Sequence, residues 1–217
     1  MQADDFANPA MLWVEKGAAM WREKEGAGGK SCADCHQDAA VTMKGIAAGY
    51  PRIDRETGKL VDLEGRINLC RTGKQHAKAF AAESAELLNI TAFVTRQSRG
   101  TPIAFSADPR LKPHLERGRG LYHQRVGQMN LACTHCHDES WGRKLLGETI
   151  SQVQPSAYPA YKLNWESVGS LSRRLRACFY GVRAEMPDYA SPDLLDLKVY
   201  LAWRANGLPM ESPGVRR

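Results

Sequence analysis

The chain has 217 residues, 43% hydrophobic and 25% charged, which is typical of one large or two small globular domains. The net charge of +6 arises from basic residues dispersed among acidic ones, with no like-charge block longer than Arg173-Arg174, so we expect no nucleic-acid binding. No apolar run approaches the roughly 20 residues of a membrane span, and the polar N-terminus leads us to expect that a targeting peptide has been removed.

The first predicted helix carries Gly17 and Trp21 on one face, where a glycine allows another helix to cross closely. It is followed by Cys32-Ala-Asp-Cys35-His36, the C-x-x-C-H spacing typical of covalent haem attachment. The two thiols add to the haem vinyl groups, and the histidine ligates the iron. A redox C-x-x-C would need a βαβ context, and zinc would need a second cysteine pair close by, so we interpret the motif as a haem c site.

The distal ligand of this first haem is not an obvious methionine. None occurs between Met43 and Met129, and Met43 lies only seven residues after His36, too close to reach the other haem face. The remaining candidates are Cys70, His76 and a more distant histidine.

A predicted linker at residues 103–113, which contains Pro109 and Pro113, divides the chain into domains at 1–102 and 114–217. Each domain has about a hundred residues, a size at which a bound haem would add usefully to the buried core.

The second domain contains its own C-x-x-C-H motif, Cys133-Thr-His-Cys136-His137. Two such motifs in one chain make coincidence a poor explanation, and we predict two haem c groups. Covalent haem attachment is completed outside the bacterial cytoplasm, so we expect a periplasmic protein.

Comparison of the chain with itself indicates an internal duplication. A spacing of 101 residues aligns the two haem motifs, and a spacing of 108 aligns Arg66-Ile-Asn-Leu-Cys70 with Arg174-Leu-Arg-Ala-Cys178. Cys178 is thus the counterpart of Cys70, whereas His76 has none. Other aligned pairs are Gly17 with Gly118, Trp21 with Tyr122, Tyr50-Pro51 with Tyr158-Pro159, and Phe93 with Tyr200.

A final helix of about four turns is predicted between Ser191-Pro192, a cap followed by proline, and the stop signal formed by Gly207 and Pro209. Its apolar face comprises Leu194, Leu195, Leu197, Tyr200, Leu201 and Trp203. With an early helix, a haem motif and a late helix in each half, the chain resembles class I cytochrome c twice. This resemblance implies a mainly α fold of two tandem cytochrome c-like domains, in which the first and last helices of each domain cross.

The distal ligand of the second haem has two candidates. Met186, followed by Pro187, is what a class I cytochrome would show, but the repeat favours Cys178. A Cys70–Cys178 disulfide is the structural alternative, and it would leave the first iron without an evident ligand. Thiolate ligation lowers the reduction potential and suits a site where sulfur itself reacts.

His/Cys ligation in two C-x-x-C-H domains, with R-[IL]-x-x-C twice, resembles the SoxA subunit of the SoxAX cytochromes of bacterial sulfur oxidation. The resemblance covers the whole chain, and its most specific stretch is Arg173-Arg174-Leu-Arg-Ala-Cys178-Phe. It implies that the C-terminal haem is the active site, with a ligating cysteine that carries a persulfide. It also implies a small monohaem partner, SoxX, with which the subunit joins thiosulfate oxidatively to a cysteine of the carrier SoxYZ, as an L-cysteine S-thiosulfotransferase.

Carried onto this sequence, the resemblance makes Cys178 and Arg174 the catalytic candidates. Arg174 lies one helical turn before Cys178, and its guanidinium suits the thiosulfate dianion. Arg66 stands at the same place before Cys70, so binding of a haem propionate is an equally open role for this arginine. The predicted axial pairs are His36 with Cys70 and His137 with Cys178. The local surplus of Arg173, Arg174, Arg176 and Arg183 favours the second half as the anion site and as the place of a thiolate.

Two other classes of function stay open at this point. A non-enzymatic dihaem electron carrier would use Met186 as its second distal ligand. A dihaem peroxidase would need one iron with an open position, and a cysteine candidate in each half weighs against it.

Overall fold

The computed structural model describes residues 1–2, 4–145 and 147–217. The first half begins with three helices, and a short hairpin precedes the segment that bears Cys70. A 3-10 turn at Ala47–Gly49 and a π-helical turn at Arg71–Gln75 interrupt these elements. In order, the elements are α1 (Met11–Met20), α2 (Cys32–His36), α3 (Ala39–Thr42), β1 (Arg52–Ile53), β2 (Leu60–Val61), α4 (Leu63–Cys70) and α5 (Ala85–Arg96).

The second half begins after a 3-10 turn at Pro109–Leu111 and shares the crossing helices, the C-x-x-C-H helix and the hairpin before the cysteine helix, with further strands added. Its elements are α6 (Lys112–His123), α7 (Cys133–His137), β3 (Lys144–Leu145), β4 (Glu148–Thr149), β5 (Ala160–Lys162), β6 (Ser167–Gly169), α8 (Leu171–Gly181), α9 (Pro192–Arg204) and β7 (Gly214–Arg216). Strands β5 and β6 form an antiparallel hairpin equivalent to β1–β2, and β7 adds to β5 in parallel. The hairpin β3–β4 falls where the repeat spacing grows from 101 to 108 residues.

Each half is built on a pair of crossing helices, α1 with α5 and α6 with α9. A Cβ atom at Gly17 would lie 2.2 Å from the Asn89 carbonyl oxygen, and one at Gly118 would lie 2.1 Å from the Asp196 carbonyl oxygen. Only glycine allows the backbones to approach this closely. The predicted crossing is therefore confirmed in both halves.

The predicted caps are also present. The Ser191 hydroxyl accepts a hydrogen bond from the Leu194 amide, and Pro192 occupies the first turn of α9. The two distal-cysteine helices begin alike, because Asp62 caps α4 and Ser170 caps α8 through the amides three residues on. Each distal cysteine candidate is thus carried by a helix whose start is fixed by its own cap.

The two halves pack on each other through apolar clusters that contain residues of both, such as Ile53, Leu111 and Val199. A buried ion pair crosses the same interface, between Lys198 on α9 and Asp62 at the start of α4. Two further carboxylates, Glu64 and Glu83, act electrostatically on this lysine. Within the described residues, no helix has the length and apolarity that crossing a membrane would require.

Candidate functional site

The first C-x-x-C-H motif forms the short helix α2, which is held by a capping box. The Ser31 hydroxyl accepts from the Asp34 amide at 3.0 Å, and the Asp34 carboxylate accepts from the Ser31 amide at 2.8 Å. The Trp21 indole donates to the Gln37 carbonyl just after the helix, and its ring lies 5.8 Å from the His36 ring. The aromatic residue that follows α1 therefore packs directly beside the predicted iron ligand.

A cavity of about 340 Å³ lies against this motif. Cys32, Cys35 and His36 line it, and so does Cys70 at the end of α4. Two thiols for covalent attachment, an imidazole and a further thiol in one apolar cavity form a donor set that fits haem c. Apolar lining residues include Trp21, Met43, Ile46, Leu63, Ile67, Ile90 and Val94.

The other distal candidate in this half is placed elsewhere. His76 is exposed and has a left-handed backbone conformation, with φ of 52°, after the π-helical turn. It is absent from the residues that line the cavity in the described part of the chain. No disulfide joins Cys70 to Cys178, so this alternative is wrong.

The second motif forms α7, and its histidine is oriented by the chain that follows the β3–β4 hairpin. His137 Nδ1 lies 2.6 Å from the Ser151 carbonyl oxygen. Because a carbonyl oxygen only accepts, Nδ1 carries the proton, and Nε2 is left as the metal-binding nitrogen. Burial lowers the pKa of His137, which favours the neutral ring that iron ligation requires.

Each distal cysteine lies close enough to its own haem motif to interact with it electrostatically. Burial, and then the Cys178 sulfur, raises the pKa of Cys133 to about 11. In the first half, burial and Cys70 raise the pKa of Cys32 to about 11 in the same way. The competing ligand Met186 is 43% exposed. Cys178 thus stands in the same relation to the second motif as Cys70 does to the first.

The two equivalent arginines differ in their partners. Arg66 Nη1 lies 2.7 Å from Asp54 Oδ2 and 3.8 Å from Glu56 Oε2. Arg174 makes no side-chain hydrogen bond or ion pair with any residue that the structure describes, although Tyr158, Glu148 and Cys178 all act on its charge. The guanidinium beside Cys178 is thus available to a ligand, whereas the one beside Cys70 is occupied.

Arg173 and Arg176 interact with other residues, so they are removed from the set of arginines expected at the anion site. Arg173 stacks on the Trp165 ring at 4.3 Å and donates to the Ser167 hydroxyl. Arg176 stacks on Tyr189 at 4.3 Å and donates to the Pro187 carbonyl oxygen. On a helix, residues two and five positions before Cys178 lie on other faces, so helical periodicity could have excluded both.

Two residues of this site were not identified from the sequence. Lys162, at the end of β5, and Glu148, on β4, both act on the Cys178 thiol, whose pKa burial raises against the opposing effects of Arg174 and Lys162. At this thiol, the effect of burial on the pKa outweighs the opposing effects of the two cations. The internal repeat could have revealed Lys162, because the spacing of 108 residues aligns it with Asp54, the partner of Arg66.

Comparison with known proteins agrees with this arrangement. The family model for the SoxA/TsdA cytochrome c domain matches residues 16–103 and 117–210. The L-cysteine S-thiosulfotransferase subunit SoxA of Pseudaminobacter salicylatoxidans is 40% identical, over the whole of this chain and 76% of that protein. The subunit of the same name from Paracoccus pantotrophus is 33% identical, over the whole of this chain and 74% of that protein.

A crystal structure of SoxXA from P. pantotrophus superimposes with a TM-score of 0.95 at 33% identity, covering all of this chain and 81% of the matched chain. The duplicated, mainly α cytochrome c fold is thereby confirmed. The two matched domains, the similarity over the whole chain and this superposition together show that the chain belongs to the SoxA family of cytochromes c.

Proposed function

We propose that this chain is the dihaem subunit of an L-cysteine S-thiosulfotransferase, the activity named for its SoxA relatives. It would join thiosulfate oxidatively to a cysteine of a SoxYZ-like carrier and pass electrons to a SoxX-like monohaem cytochrome. The observation that carries this proposal is the guanidinium of Arg174, which has no ion-pair partner among the described residues and lies one helical turn before the half-buried Cys178. A compact dianion is the ligand that such a group would select beside a reactive sulfur.

In this proposal the chain consists of a haem domain at 1–102, a linker at 103–113 and a second haem domain at 114–217. One haem c would be attached through Cys32 and Cys35, and another through Cys133 and Cys136. His36 and Cys70 would hold the first iron, and His137 and Cys178 would hold the second. The secretory route that c-type haem attachment requires makes the periplasm the expected location.

The reaction combines a carrier thiolate with thiosulfate to give a cysteine S-thiosulfonate and two electrons. One sulfur–sulfur bond forms, and the charges balance because three negative charges become one on the product and two on the electrons. A haem iron, when bound at Cys178, supplies an electron acceptor next to the reacting sulfur. Arg174 binds the sulfonate oxygens, and Cys178 presents its sulfur on the same face of α8.

His137 has a supporting role, since its hydrogen bond to the Ser151 carbonyl fixes the orientation of the ring that would hold the iron. A simple electron carrier with Met186 as ligand is less well supported, because Met186 is 43% exposed. A peroxidase would need a site without a cysteine candidate, and each half has one.

The test is a reconstitution with a monohaem partner, a carrier protein, thiosulfate and ferric cytochrome c. We expect the carrier to gain the mass of one thiosulfonate group on one cysteine, with two equivalents of cytochrome reduced. Intact mass after denaturation should give the polypeptide plus two haems. An unmodified carrier under these conditions would overturn the proposed activity, and a single haem would overturn the ligand assignment.

A further inference from the structure

The duplication places opposite charges at one equivalent position of the two hairpins. The spacing of 108 residues that aligns Arg66 with Arg174 also aligns Asp54, which follows β1, with Lys162, which ends β5. The caps Asp62 and Ser170 agree with the same spacing. Asp54 and Lys162 are therefore structural equivalents, and an acid has been exchanged for a base.

In the first half, the acid neutralises the arginine. The Asp54 side chain is 5% exposed, and one of its oxygens binds Arg66 at 2.7 Å. The other accepts from the amide and the hydroxyl of Thr57, at 2.8 and 2.9 Å. This carboxylate is fully engaged, so the Arg66 charge is compensated within the protein.

In the second half, the base adds a charge instead. The Lys162 side chain is 3% exposed and lies 3.2 Å from Glu148 on the extra hairpin β3–β4. Burial, and next the charge of Arg174, lowers the pKa of Lys162. Lys162 and Arg174 thus act electrostatically on each other and on Cys178, and the Glu148 carboxylate acts on all three. Among the described residues, Arg174 has no ion-pair partner equivalent to the Asp54 that Arg66 binds.

We propose that Lys162 and Arg174 together form the binding site for the inorganic sulfur dianion. Glu148 is the counterion of Lys162 within the protein, and its negative charge competes with that of the dianion. Two neighbouring cations with a single carboxylate leave one positive charge without a partner, and a bound anion would compensate it. The proposal rests on the proposed function and extends it, because Lys162 would set the preference for a dianion over a monoanion.

The competing explanation is that Lys162 and Glu148 form a structural pair that fastens the β3–β4 hairpin. The two explanations predict opposite effects for Glu148→Gln. A structural pair would be broken from either side, so Glu148→Gln and Lys162→Met would impair the protein alike. A dianion site would lose affinity in Lys162→Met and gain affinity in Glu148→Gln, since that change removes a competing negative charge.

The experiment uses the haem-loaded complex with its monohaem partner, and measures thiosulfate binding by calorimetry without the carrier alongside KM and kcat with it. We expect Lys162→Met to raise both Kd and KM by about tenfold or more, with a smaller change in kcat. Lys162→Arg should stay within about threefold of the native protein, and Glu148→Gln should tighten Kd by about two- to fivefold. Asp54→Asn, the matched change in the first half, should alter neither Kd nor KM.

A native Kd in Lys162→Met, or weaker binding in Glu148→Gln, would overturn the inference while leaving the proposed function intact. Conversely, a native complex that binds thiosulfate with these variant effects but leaves the carrier unmodified would support the dianion site and overturn only the reaction. Haem content and the absorption spectrum of each variant identify any protein that has lost its fold. If Lys162→Met loses its fold, the sign of the change in Glu148→Gln decides the question.

Discussion

The first and second halves of this chain share a scaffold but differ in the charges around their distal cysteines. Both have crossing helices joined through a glycine, a C-x-x-C-H helix, a hairpin and a capped helix that ends near a cysteine. In the first half Arg66 is paired with Asp54, whereas in the second Arg174 stands beside Lys162. Duplication supplied two equivalent cysteine-bearing helices, and in our proposal the exchange of Asp54 for Lys162 makes only the second site able to bind an anion.

The distal cysteines provide the most severe test of this comparison. We expect Cys70→Met and Cys178→Met each to raise the potential of its own haem by a few hundred mV, because a thioether replaces an anionic donor. Only Cys178→Met should substantially reduce thiosulfate-dependent turnover. Spectropotentiometric titration and the carrier assay measure the two effects.

Equal losses of turnover in these variants would mean that the halves are not functionally different. An unchanged spectrum in Cys178→Met would transfer the iron ligation to Met186.

Substitution of the glycines at the two helix crossings tests a feature in which the two halves should behave alike. Gly118→Ala places a methyl group against the α9 backbone, and we expect a loss of about 1–3 kcal/mol in the free energy of unfolding. Gly17→Ala should lose a similar amount against α5. The control is Gly120→Ala on the same helix α6, where an added Cβ atom meets nothing within 4 Å. Its free energy of unfolding should increase by about 0.5–1 kcal/mol. Denaturant titration of the haem-loaded protein would refute the equivalence if only one of the first two variants were destabilised.

The smallest expected effect concerns Glu64, at the interface between the halves. Burial raises the pKa of Glu64 from an ordinary 4.5 to about 7. The positive charge of Lys198 lowers this pKa, whereas the negative charges of Asp62 and Glu83 raise it further. The folded state therefore holds a proton that the unfolded chain releases. Its contribution to stability is complete below about pH 4.5 and is lost as the pH rises through about 7.

Glu64→Gln should consequently raise Tm by about 2–4 °C at pH 8 and have little effect at pH 5. Thermal unfolding at both pH values measures this difference, with the exposed Glu23→Gln as the control. The same gain at both pH values would show that the effect does not come from the proton.

Much of the architecture could be predicted from the repeat, because glycine crossings, serine caps and C-x-x-C-H helices depend on local chemistry. Ser191 and Gly118 occupy the predicted roles for this reason. The number of arginines did not predict the composition of the anion site, because the Arg173 and Arg176 guanidinium groups stack on the rings of Trp165 and Tyr189. The exchange of Asp54 for Lys162 was visible in the aligned repeat, but its meaning depends on the distance from Asp54 to Arg66, which only the fold provides.

The ion pair between Lys198 and Asp62 breaks the symmetry of the duplication in a further way. The repeat places Thr91 opposite Lys198 and Ser170 opposite Asp62, so neither charge has a charged counterpart. A C-terminal half produced alone would expose α9 with Lys198 deprived of its partner. The second half therefore depends on the first for a reason unrelated to metal binding. In a diverging lineage, the cysteines and histidine of the first haem could be lost by mutation while the domain around them was still retained by selection.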